Sequence, residues 1–427
     1  MPNNANHEHA IVITGIGAIT PIGLTAQAAW EAMRTGTSGI SPLAGAEFDQ
    51  FEGQWQARVV GHVTDWDAGA HIDPREAKRL DRSAQFGMAA VAQAVEASGI
   101  DFSAMEPERA GVAFGTGVGG ISTIEAGHSI LLDRGPKRLG PLTVPKLMVN
   151  ATAGNASISY GLRGPATAMA TACASSGNAI GEAMETMRRG RTDVMIAGGT
   201  EAAITPLCVG AFQAMKALST NPEPAKASRP FDAARDGFVL AEGAAAFVLE
   251  TEAHAKARGA TILAELVGWA ASADAHHITA PDEAGRGARQ AMTWALEDSG
   301  LEPGDIGYIN AHGTSTPLGD SAEVAAVLEV FGNHARKSAG GSLLMSSTKS
   351  VHGHALGASG AVELVGCIYA LRDGLVPPTI NLDNPEEGFD IDLVANKARE
   401  APIRYAMNNT FGFGGHNVSL VVGRYDG

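Results

Sequence analysis

The cysteine best placed for chemistry is Cys173, which stands in the run Thr171-Ala-Cys-Ala-Ser-Ser-Gly177. A cysteine among Ala and Thr is most often a small buried hydrophobic residue. The small residues after Cys173 predict the first turn of a helix, where free backbone N–H groups lower a thiol pKa and can bind an oxyanion. We therefore predict that Cys173 is a nucleophile. Cys208 and Cys367 lack these surroundings and are interpreted as packing residues.

Two further segments place histidines in turns that follow short strands. They are Asn310-Ala-His312-Gly-Thr314-Ser-Thr316 and Lys349-Ser-Val-His352-Gly-His354. A turn histidine on its own is usually bonded to backbone. A lysine and two histidines beside a glycine-rich apolar helix are costly to bury, and catalysis is a frequent reason for keeping such groups. The pattern favours a chemical role for these side chains.

Other kinds of site are less well supported. Gly115-Thr-Gly117-Val-Gly-Gly120 fits the dinucleotide fingerprint, but that fold also requires an acidic residue at the end of a second strand about 20 residues later, where the chain reads Gly135-Pro-Lys-Arg-Leu-Gly-Pro, so we prefer a tight turn near a ligand. Zinc stays a minor alternative, because the metal-ligand spacings Cys-x-x-Cys and His-x-x-x-His are missing and Lys349 is cationic. The run Asn408-Asn-Thr-Phe411-Gly-Phe413-Gly-Gly-His416-Asn indicates either a flexible gate over an apolar tunnel or a strand-edge bulge with core aromatics.

Strands and helices that alternate along the chain must position these residues. The pattern predicts short buried strands at Ile11 to Gly15, Gly111 to Phe114, Val194 to Ala197, Ala245 to Leu249, Ile306 to Asn310 and Val418 to Val422. Apolar residues at three and four residue spacing predict helices at Ser83 to Ala97, Asn178 to Arg189, Gly287 to Ser299, Ser321 to Phe331 and Ala361 to Asp373. This order implies an α/β architecture with covered sheets. The best candidate for a seam lies near residues 250 to 262, and the glycine-rich turns on either side of it hint at a duplication.

Composition excludes several classes of function. The chain has 427 residues and a formal net charge of −15, so as a whole it repels nucleic acid and anionic membranes. Three scattered cysteines cannot build a disulfide framework and indicate a reducing cytoplasm. The first ten residues contain no Lys or Arg, so we expect neither a signal nor a transit peptide. The uncharged stretch 164–181 has the length of a membrane span, but its Thr, Ser, Asn and Gly content favours a buried segment of a soluble protein.

Taken together, the four motifs around Cys173, His312, Lys349 and Phe413 resemble the β-ketoacyl-[acyl carrier protein] synthases in residue type, order and spacing. The resemblance is greatest to the elongating type II synthases of bacterial fatty acid synthesis. Supporting stretches extend it over essentially the whole chain: Tyr160-Gly-Leu-Arg-Gly-Pro165, Ser228-Arg-Pro-Phe-Asp232 and Arg235-Asp-Gly-Phe238. It implies the thiolase fold, in which two duplicated α/β halves form a five-layered αβαβα core, and a homodimer. Residues 1–258 would carry the nucleophile and residues 259–427 the two histidines.

The resemblance also implies an activity, the decarboxylative Claisen condensation of an acyl-enzyme with malonyl-[acyl carrier protein] in fatty acid elongation. Cys173 matches the nucleophile, and His312 and His354 match the histidines that stabilise the enolate. Lys349 matches a fixed positive charge paired with a carboxylate, for which Glu323 is the matching residue. The backbone N–H groups of Cys173 and Phe413 match the oxyanion hole, and Phe413 also matches the gate. Positions that match contacts to the phosphopantetheine arm or the acyl chain are Thr314, Thr316, Thr279, Val118, Phe212, Phe411 and Thr143.

The implied partner is an acidic acyl carrier protein, which delivers acyl and malonyl thioesters on its own phosphopantetheine, so no cofactor or metal is expected. Binding it requires a local exception to the negative charge, which Arg75, Lys78 and Arg79 form and to which Lys137 and Arg138 could add. An ordinary solvated helix face is the alternative.

Three related functions compete with this assignment. They are the ketosynthase subunit of a type II polyketide system, the non-catalytic chain-length subunit of such a system, and thiolase. The chain-length subunit is disfavoured because Cys173 is retained. Thiolase requires a second catalytic cysteine near the C-terminus, and no cysteine follows Cys367.

Overall fold

The computed structural model of the protein describes residues 10–427, so nine of the ten residues examined for a leader peptide lie outside the described part. The strands are β1 (Ile11–Ile19), β2 (Ser41–Pro42), β3 (Val59–Val60), β4 (Ala110–Gly115), β5 (Ala166–Met169), β6 (Val194–Glu201), β7 (Gly243–Thr251), β8 (Ala264–Ala273), β9 (Ile306–Asn310), β10 (Leu344–Ser346), β11 (Leu375–Val376), β12 (Arg399–Glu400), β13 (Tyr405–Gly412) and β14 (His416–Gly423). The α-helices are α1 (Ala26–Thr35), α2 (Ala46–Asp49), α3 (Pro74–Ala77), α4 (Arg82–Ser98), α5 (Ile121–Arg134), α6 (Thr143–Leu147), α7 (Ala151–Tyr160), α8 (Ser175–Arg188), α9 (Pro206–Ala214), α10 (Pro224–Ala227), α11 (Glu252–Ala257), α12 (Arg286–Ser299), α13 (Pro317–Ala335), α14 (Lys349–His352) and α15 (Ser359–Asp373).

A ten-stranded mixed sheet runs in the order β10-β9-β13-β14-β8-β1-β7-β6-β4-β5, and its two halves repeat one topology. Each half contributes five strands to this sheet. When these five are numbered in chain order, their order from the outer edge inward is third, second, fourth, fifth and first. In each half the second strand is parallel to the third and the fourth, and the remaining two pairs are antiparallel. β1 and β8 join the halves over three residues, Ile11 to Ile13. This repetition confirms the predicted duplication.

Helices divide the protein into five layers. α8 and α15 pack against each other and contact strands of both halves of the sheet, so they form the central layer. α4 and α7 cover the outer face of the N-terminal half, and α12 with α13 covers the outer face of the C-terminal half. All six predicted strands and all five predicted helices are present, most of them a few residues longer than the apolar pattern indicated.

The uncharged stretch 164–181 is divided among β5, a turn and the start of α8, where most of its residues from Cys173 onward are buried. Within residues 10–427, the structure contains no helix with the length and apolar character needed to span a membrane.

Candidate active site

Cys173 lies in a one-turn 3-10 helix, Ala172–Ala174, between β5 and α8, with its side chain 7% exposed. The turn is strained, because Ala172 has a φ of +49°. Ser175 braces it: its hydroxyl donates to the Ala172 carbonyl (2.6 Å) and accepts from the Thr171 N–H (2.9 Å). The Cys173 Sγ lies 3.1 Å from His354 Nε2 and accepts a hydrogen bond from the backbone N–H of Phe413.

Burial raises the pKa of the Cys173 thiol to about 12, although the charge on Lys349 and the Phe413 N–H both lower it. The sequence-based expectation of a lowered thiol pKa is therefore wrong. A helix terminus contributes up to about 2 kcal/mol, whereas a pKa increase from 9.0 to about 12 corresponds to about 4 kcal/mol against the thiolate. The resting side chain is a neutral thiol whose proton faces an imidazole.

Both predicted histidines lie in the same site as Cys173. His312 follows β9 and His354 follows α14, and their ring centroids are 5.4 Å apart. Burial and the neighbouring positive charge of Lys349 hold both pKa values well below 6.5, so both rings are neutral. A neutral imidazole can donate one hydrogen bond to a substrate oxygen without introducing a proton that would quench a carbanion.

Hydrogen bonds to the second nitrogen of each ring determine which nitrogen can donate. Lys349 Nζ lies 3.5 Å from His312 Nδ1 and has only donors, so Nδ1 accepts and the proton resides on Nε2. His354 Nδ1 lies 2.8 Å from the Ser359 hydroxyl, which can donate or accept. His354 can therefore accept the thiol proton in one step and donate to a substrate oxygen in another.

The expected pairing of Lys349 with Glu323 is wrong. Lys349 forms a completely buried ion pair with Glu363 of α15. Glu323 lies on α13, where its carboxylate accepts the backbone N–H groups of His312 (2.8 Å) and Gly313 (2.7 Å). Glu323 therefore binds the histidine turn and not Lys349. Burial raises the pKa of each of these two glutamates to about 7.

A cavity of about 490 Å³ leads to these groups. Its lining includes the reactive side chains Cys173, His312 and His354, together with Glu323. The predicted substrate residues that line it are Val118, Phe212, Thr279, Thr314, Thr316 and Phe411, and the predicted gate residue Phe413 lines it as well. Thr143 does not line it: this residue begins α6, where its hydroxyl donates to the Gly140 carbonyl (2.8 Å) and it approaches α5.

The predicted gate is joined to a second loop at the cavity mouth. Gly414, next to Phe413, donates its N–H to the Ile278 carbonyl (2.7 Å), and Asp274 donates its N–H to the Gly415 carbonyl (2.9 Å). Gly414 and Gly415 have φ values of +82° and +73°, which a side chain would oppose. The Phe413 ring lies 6.4 Å from that of Phe212, so movement of the loop would open one wall of the cavity.

All five predicted carrier-protein residues lie at the surface. Arg75 lies in α3, Lys78 and Arg79 follow it, and Lys137 and Arg138 lie in the 3-10 turn after α5. Of these side chains, Arg79 pairs with Glu76 at 3.1 Å.

Two site residues were missed by sequence reasoning, Glu363 and Ser359. The sequence contained a signal for Glu363, since it stands alone among apolar and small residues in the first three turns of α15 and a buried carboxylate requires a partner. Sγ of Cys173 and one ring nitrogen from each of His312 and His354 lie within 4.8 Å of one another, a spacing that could also hold a metal ion. The Lys349 ammonium beside His312 opposes a dication there.

Comparisons with known proteins agree with this geometry. Residues 8–255 match the family described as beta-ketoacyl synthase, N-terminal domain, and residues 263–383 match beta-ketoacyl synthase, C-terminal domain. Relatives named 3-oxoacyl-[acyl-carrier-protein] synthase 2 include one from Vibrio harveyi, 47% identical over 96% of this chain and 97% of the relative. Another, from Synechocystis sp., is 46% identical over 97% and 98%.

Solved structures show the same fold. A beta-ketoacyl synthase from Burkholderia phymatum superimposes with a TM-score of 0.89 at 34% identity, covering 98% of this chain and all of that one. A type II PKS ketosynthase, solved in complex with its acyl-carrier protein and bound to the hexaketide, gives 0.88 at 30% identity, covering 98% and 100%. The chain has the fold of the ketosynthases, and it belongs to the beta-ketoacyl synthase family.

Proposed function

We propose that the protein condenses an acyl group held on Cys173 with malonyl-[acyl carrier protein] by decarboxylative Claisen chemistry in fatty acid elongation. The observation that supports this best is the convergence of one thiol and two neutral imidazoles at a single cavity. The names of the relatives at 46% and 47% identity support the same activity.

The first half-reaction loads the enzyme. The Cys173 thiol gives its proton to His354, 3.1 Å away, and the sulfur attacks the acyl thioester carbonyl. The tetrahedral oxyanion is held by the backbone N–H groups of Cys173 and Phe413. The pantetheine thiolate of the carrier protein then leaves and takes up a proton, and the acyl chain lies along the wall that contains Val118 and Phe212.

The second half-reaction forms the carbon–carbon bond. Malonyl thioester loses CO₂, and the electrons of the broken bond move onto the thioester oxygen as an enolate. Donors from His312 Nε2 and His354 Nε2 stabilise that charge, and a donor of this kind contributes roughly 10²- to 10³-fold in rate. The enolate carbon attacks the acyl-Cys173 carbonyl, and the Cys173 thiolate leaves and takes up a proton. Lys349 supplies a fixed positive charge throughout, held in place by Glu363.

We further propose that an acyl carrier protein delivers both thioesters to the basic patch of Arg75, Lys78, Arg79, Lys137 and Arg138, which opposes a net charge of −15. A related ketosynthase was solved with its acyl-carrier protein bound, which supports this kind of partner. Thr314 and Thr316 line the cavity and would bind the phosphopantetheine arm. The reaction needs no redox cofactor, because the electron pair of the bond broken in the loss of CO₂ stays in the enolate and forms the new carbon–carbon bond.

We also propose that the protein forms a homodimer. Among the described residues of α5, a helix of 14 residues, none is buried, although several are apolar. The exposed apolar side chains of this surface are Ile124, Leu131, Leu132, Leu142, Val144, Met148 and Val149. Within residues 10–427, β5 pairs only with β4, so its outer edge is open. A second copy would cover both features.

Two smaller inferences accompany these. We place the boundary between the halves at residues 258 and 259, in the segment between α11 and β8. The three cysteines are free and buried, which suits a cytoplasmic enzyme.

The test uses acyl carrier protein loaded with an acyl chain and radiolabelled malonyl-[acyl carrier protein]. We expect the wild type to form acyl-Cys173 by mass spectrometry, to release labelled CO₂ and to yield a β-ketoacyl product extended by two carbons. Cys173→Ala should form neither acyl-enzyme nor condensation product, and Cys208→Ala is the matched control. Condensation by Cys173→Ala would overturn the proposal.

Charge reversal at Lys78 and Arg79 tests the carrier-protein surface. We expect the KM for malonyl-[acyl carrier protein] to rise while the rate at which iodoacetamide alkylates Cys173 stays unchanged. An unchanged KM would exclude this surface.

A further inference from the structure

Glu201 is a buried carboxylate that the mechanism above does not use. It ends β6 and is 0% exposed. Its Oε1 accepts from the Thr116 hydroxyl (2.9 Å) and the Val118 N–H (3.2 Å). Its Oε2 accepts from the Gly117 N–H (2.7 Å) and the Gly357 N–H (3.0 Å). Burial raises the pKa of Glu201, and these hydrogen bonds favour its charged form.

The groups that Glu201 holds come from both halves of the protein. Residues 116–118 form the loop after β4, which contributes Val118 to the cavity wall. Gly357 belongs to the C-terminal half and lies three residues after His354, in the 3-10 turn Leu356–Ala358. One carboxylate therefore bonds the acyl-pocket loop of one half to the histidine turn of the other.

The backbones of Gly117 and Gly357 pack closely against each other beside the Glu201 carboxylate. A Cβ on Gly357 would lie 2.2 Å from the Gly117 nitrogen, and a Cβ on Gly117 would lie 2.7 Å from Glu201 Oε2. A side chain at Gly357 would push the two backbones apart, and a side chain at Gly117 would displace the Glu201 carboxylate.

The turns beside Glu201 also hold strained backbone. Leu356, next to Gly357, has a φ of +42°, and Ala172, next to Cys173, has a φ of +49°. Such conformations persist only where surrounding contacts over-determine them. A hydrogen bond from the carboxylate to Gly357 is one such contact on the histidine side.

We propose that Glu201 is a positioning residue that clamps the two halves together at the active site, setting Val118 against the acyl chain and His354 against Cys173. The inference rests on the proposed function for its effect on acyl chains. Its effect on the Cys173–His354 pair does not depend on that function, because the reactivity of the thiol can be measured without substrate.

Two variants separate the two contacts. In Glu201→Gln the amide oxygen takes the Oε2 position, where both neighbours are backbone N–H donors. Its NH₂ group then faces Thr116, whose hydroxyl can rotate to accept, and the Val118 N–H, which cannot. This variant therefore releases Val118 and retains Gly357. Glu201→Ala releases both.

Glu250→Gln is the matched control. Glu250 is also 0% exposed, and its partners are Thr14, His254 and Arg258. In the ladder between β6 and β7, Glu250 pairs with Val194 while Glu201 pairs with Gly243. The two residues lie at opposite ends of the same strand pair, separated by about 24 Å of strand at about 3.4 Å per residue.

The experiment measures two quantities in each purified full-length variant. One is the kcat/KM for acyl carrier proteins that bear short and long chains, and the other is the rate at which iodoacetamide alkylates Cys173, followed by mass spectrometry. We expect Glu201→Gln to change the long-to-short ratio by roughly fivefold or more, because a buried donor loses its partner. Its Cys173 alkylation should stay within twofold of wild type. Glu201→Ala should also slow alkylation, by roughly tenfold, because His354 is displaced.

Glu250→Gln should lower the melting temperature and leave both quantities unchanged. The proposal is overturned if Glu201→Gln and Glu250→Gln show the same chain-length ratio as wild type. It is also overturned if folded Glu201→Ala alkylates at the wild-type rate. If Glu201→Ala does not fold, the chain-length ratio of Glu201→Gln alone tests the proposal. A wild type that alkylates at Cys173 but condenses nothing would defeat the proposed function, and the alkylation rates would still test the clamp.

Discussion

Lys349→Met should slow the reaction of Cys173 with thiol reagents, because the buried ammonium stabilises the thiolate. Lys349 Nζ lies 3.5 Å from His312 Nδ1, and a His312 ring nitrogen lies within 4.8 Å of Cys173 Sγ. Added across the His312 ring, these two distances place Lys349 Nζ within about 10 Å of Cys173 Sγ. At that separation, an ammonium and a thiolate attract each other by about 2 kcal/mol if the effective dielectric constant is about 20. Losing that interaction lowers the thiolate fraction at pH 8 by roughly 20- to 30-fold.

The variant should remain folded, because Glu363 can become neutral. Removing one partner of a buried ion pair costs about 3 to 5 kcal/mol when the other stays charged. Burial already raises the pKa of Glu363 to about 7, so without Lys349 it takes up a proton near neutral pH. We therefore expect Lys349→Met to lose less unfolding free energy than about 3 to 5 kcal/mol.

The assay is alkylation of Cys173 by iodoacetamide at pH 8, with the modified peptide quantified by mass spectrometry and the melting temperature measured in parallel. Lys256→Met is the control, since Lys256 is exposed and pairs with Glu252 at 2.9 Å. Acyl transfer from acyl carrier protein should slow in proportion to alkylation. If folded Lys349→Met is alkylated within twofold of the wild-type rate, its charge does not act on the thiol.

Three further outcomes are expected. His312→Ala should lower CO₂ release from malonyl-[acyl carrier protein] by roughly 10²-fold or more while acyl-Cys173 still forms; unchanged CO₂ release would remove His312 from the mechanism. Val118→Phe should shift preference toward shorter acyl chains, because the ring fills the cavity wall; an unchanged preference would show that the chain lies elsewhere. Burial holds the pKa values of His312, His352 and His354 below 6.5, that of His352 at about 3. Each of these histidines therefore lowers the unfolding free energy by about 1.4 kcal/mol per pH unit below pH 6.5, and the raised pKa values of Glu323 and Glu363 oppose this by binding protons in the folded chain. His352→Asn should therefore raise the urea midpoint at pH 5.5 relative to that at pH 7, compared with the wild type; the same ratio of midpoints in both proteins would contradict this.

Local sequence determined the elements and the reactive residues well, for a physical reason. A nucleophile or general base must stand in a turn at the end of a buried strand, and apolar runs followed by small polar residues mark such turns. His312 follows the buried strand β9, and His354 follows the buried strand β10 after the short helix α14. Strand β5 before Cys173 is not buried, so the run of small residues was the signal there. Strand and helix lengths were underestimated, because polar ends of an element carry no periodic signal.

What sequence could not supply depends on tertiary burial and pairing. The helix start at Cys173 was visible, but the desolvation that raises its pKa was not. Glu363 and Glu323 are both acidic residues on helices, and only the packing of α15 against the site decides which one meets Lys349. Thr143 does not line the cavity of the single chain, because it lies on a surface that the single chain leaves partly exposed to solvent, and the local sequence does not show how that surface is placed relative to the cavity.

The duplication explains why one cavity holds groups from both halves. In each half the second and third strands are parallel, and ligands bind beyond the carboxyl ends of such strands. After β4 and β5 come Val118 and Cys173, which hold the acyl group in the proposed mechanism. After β9 and β10 come His312 and His354, which stabilise the enolate in that mechanism. The loop Gly115 to Gly120, which fits a dinucleotide fingerprint, is thus the counterpart of the His312 turn. Because each half contributes one reactant's chemistry, the condensation requires their alignment, and that alignment is what Glu201 would maintain.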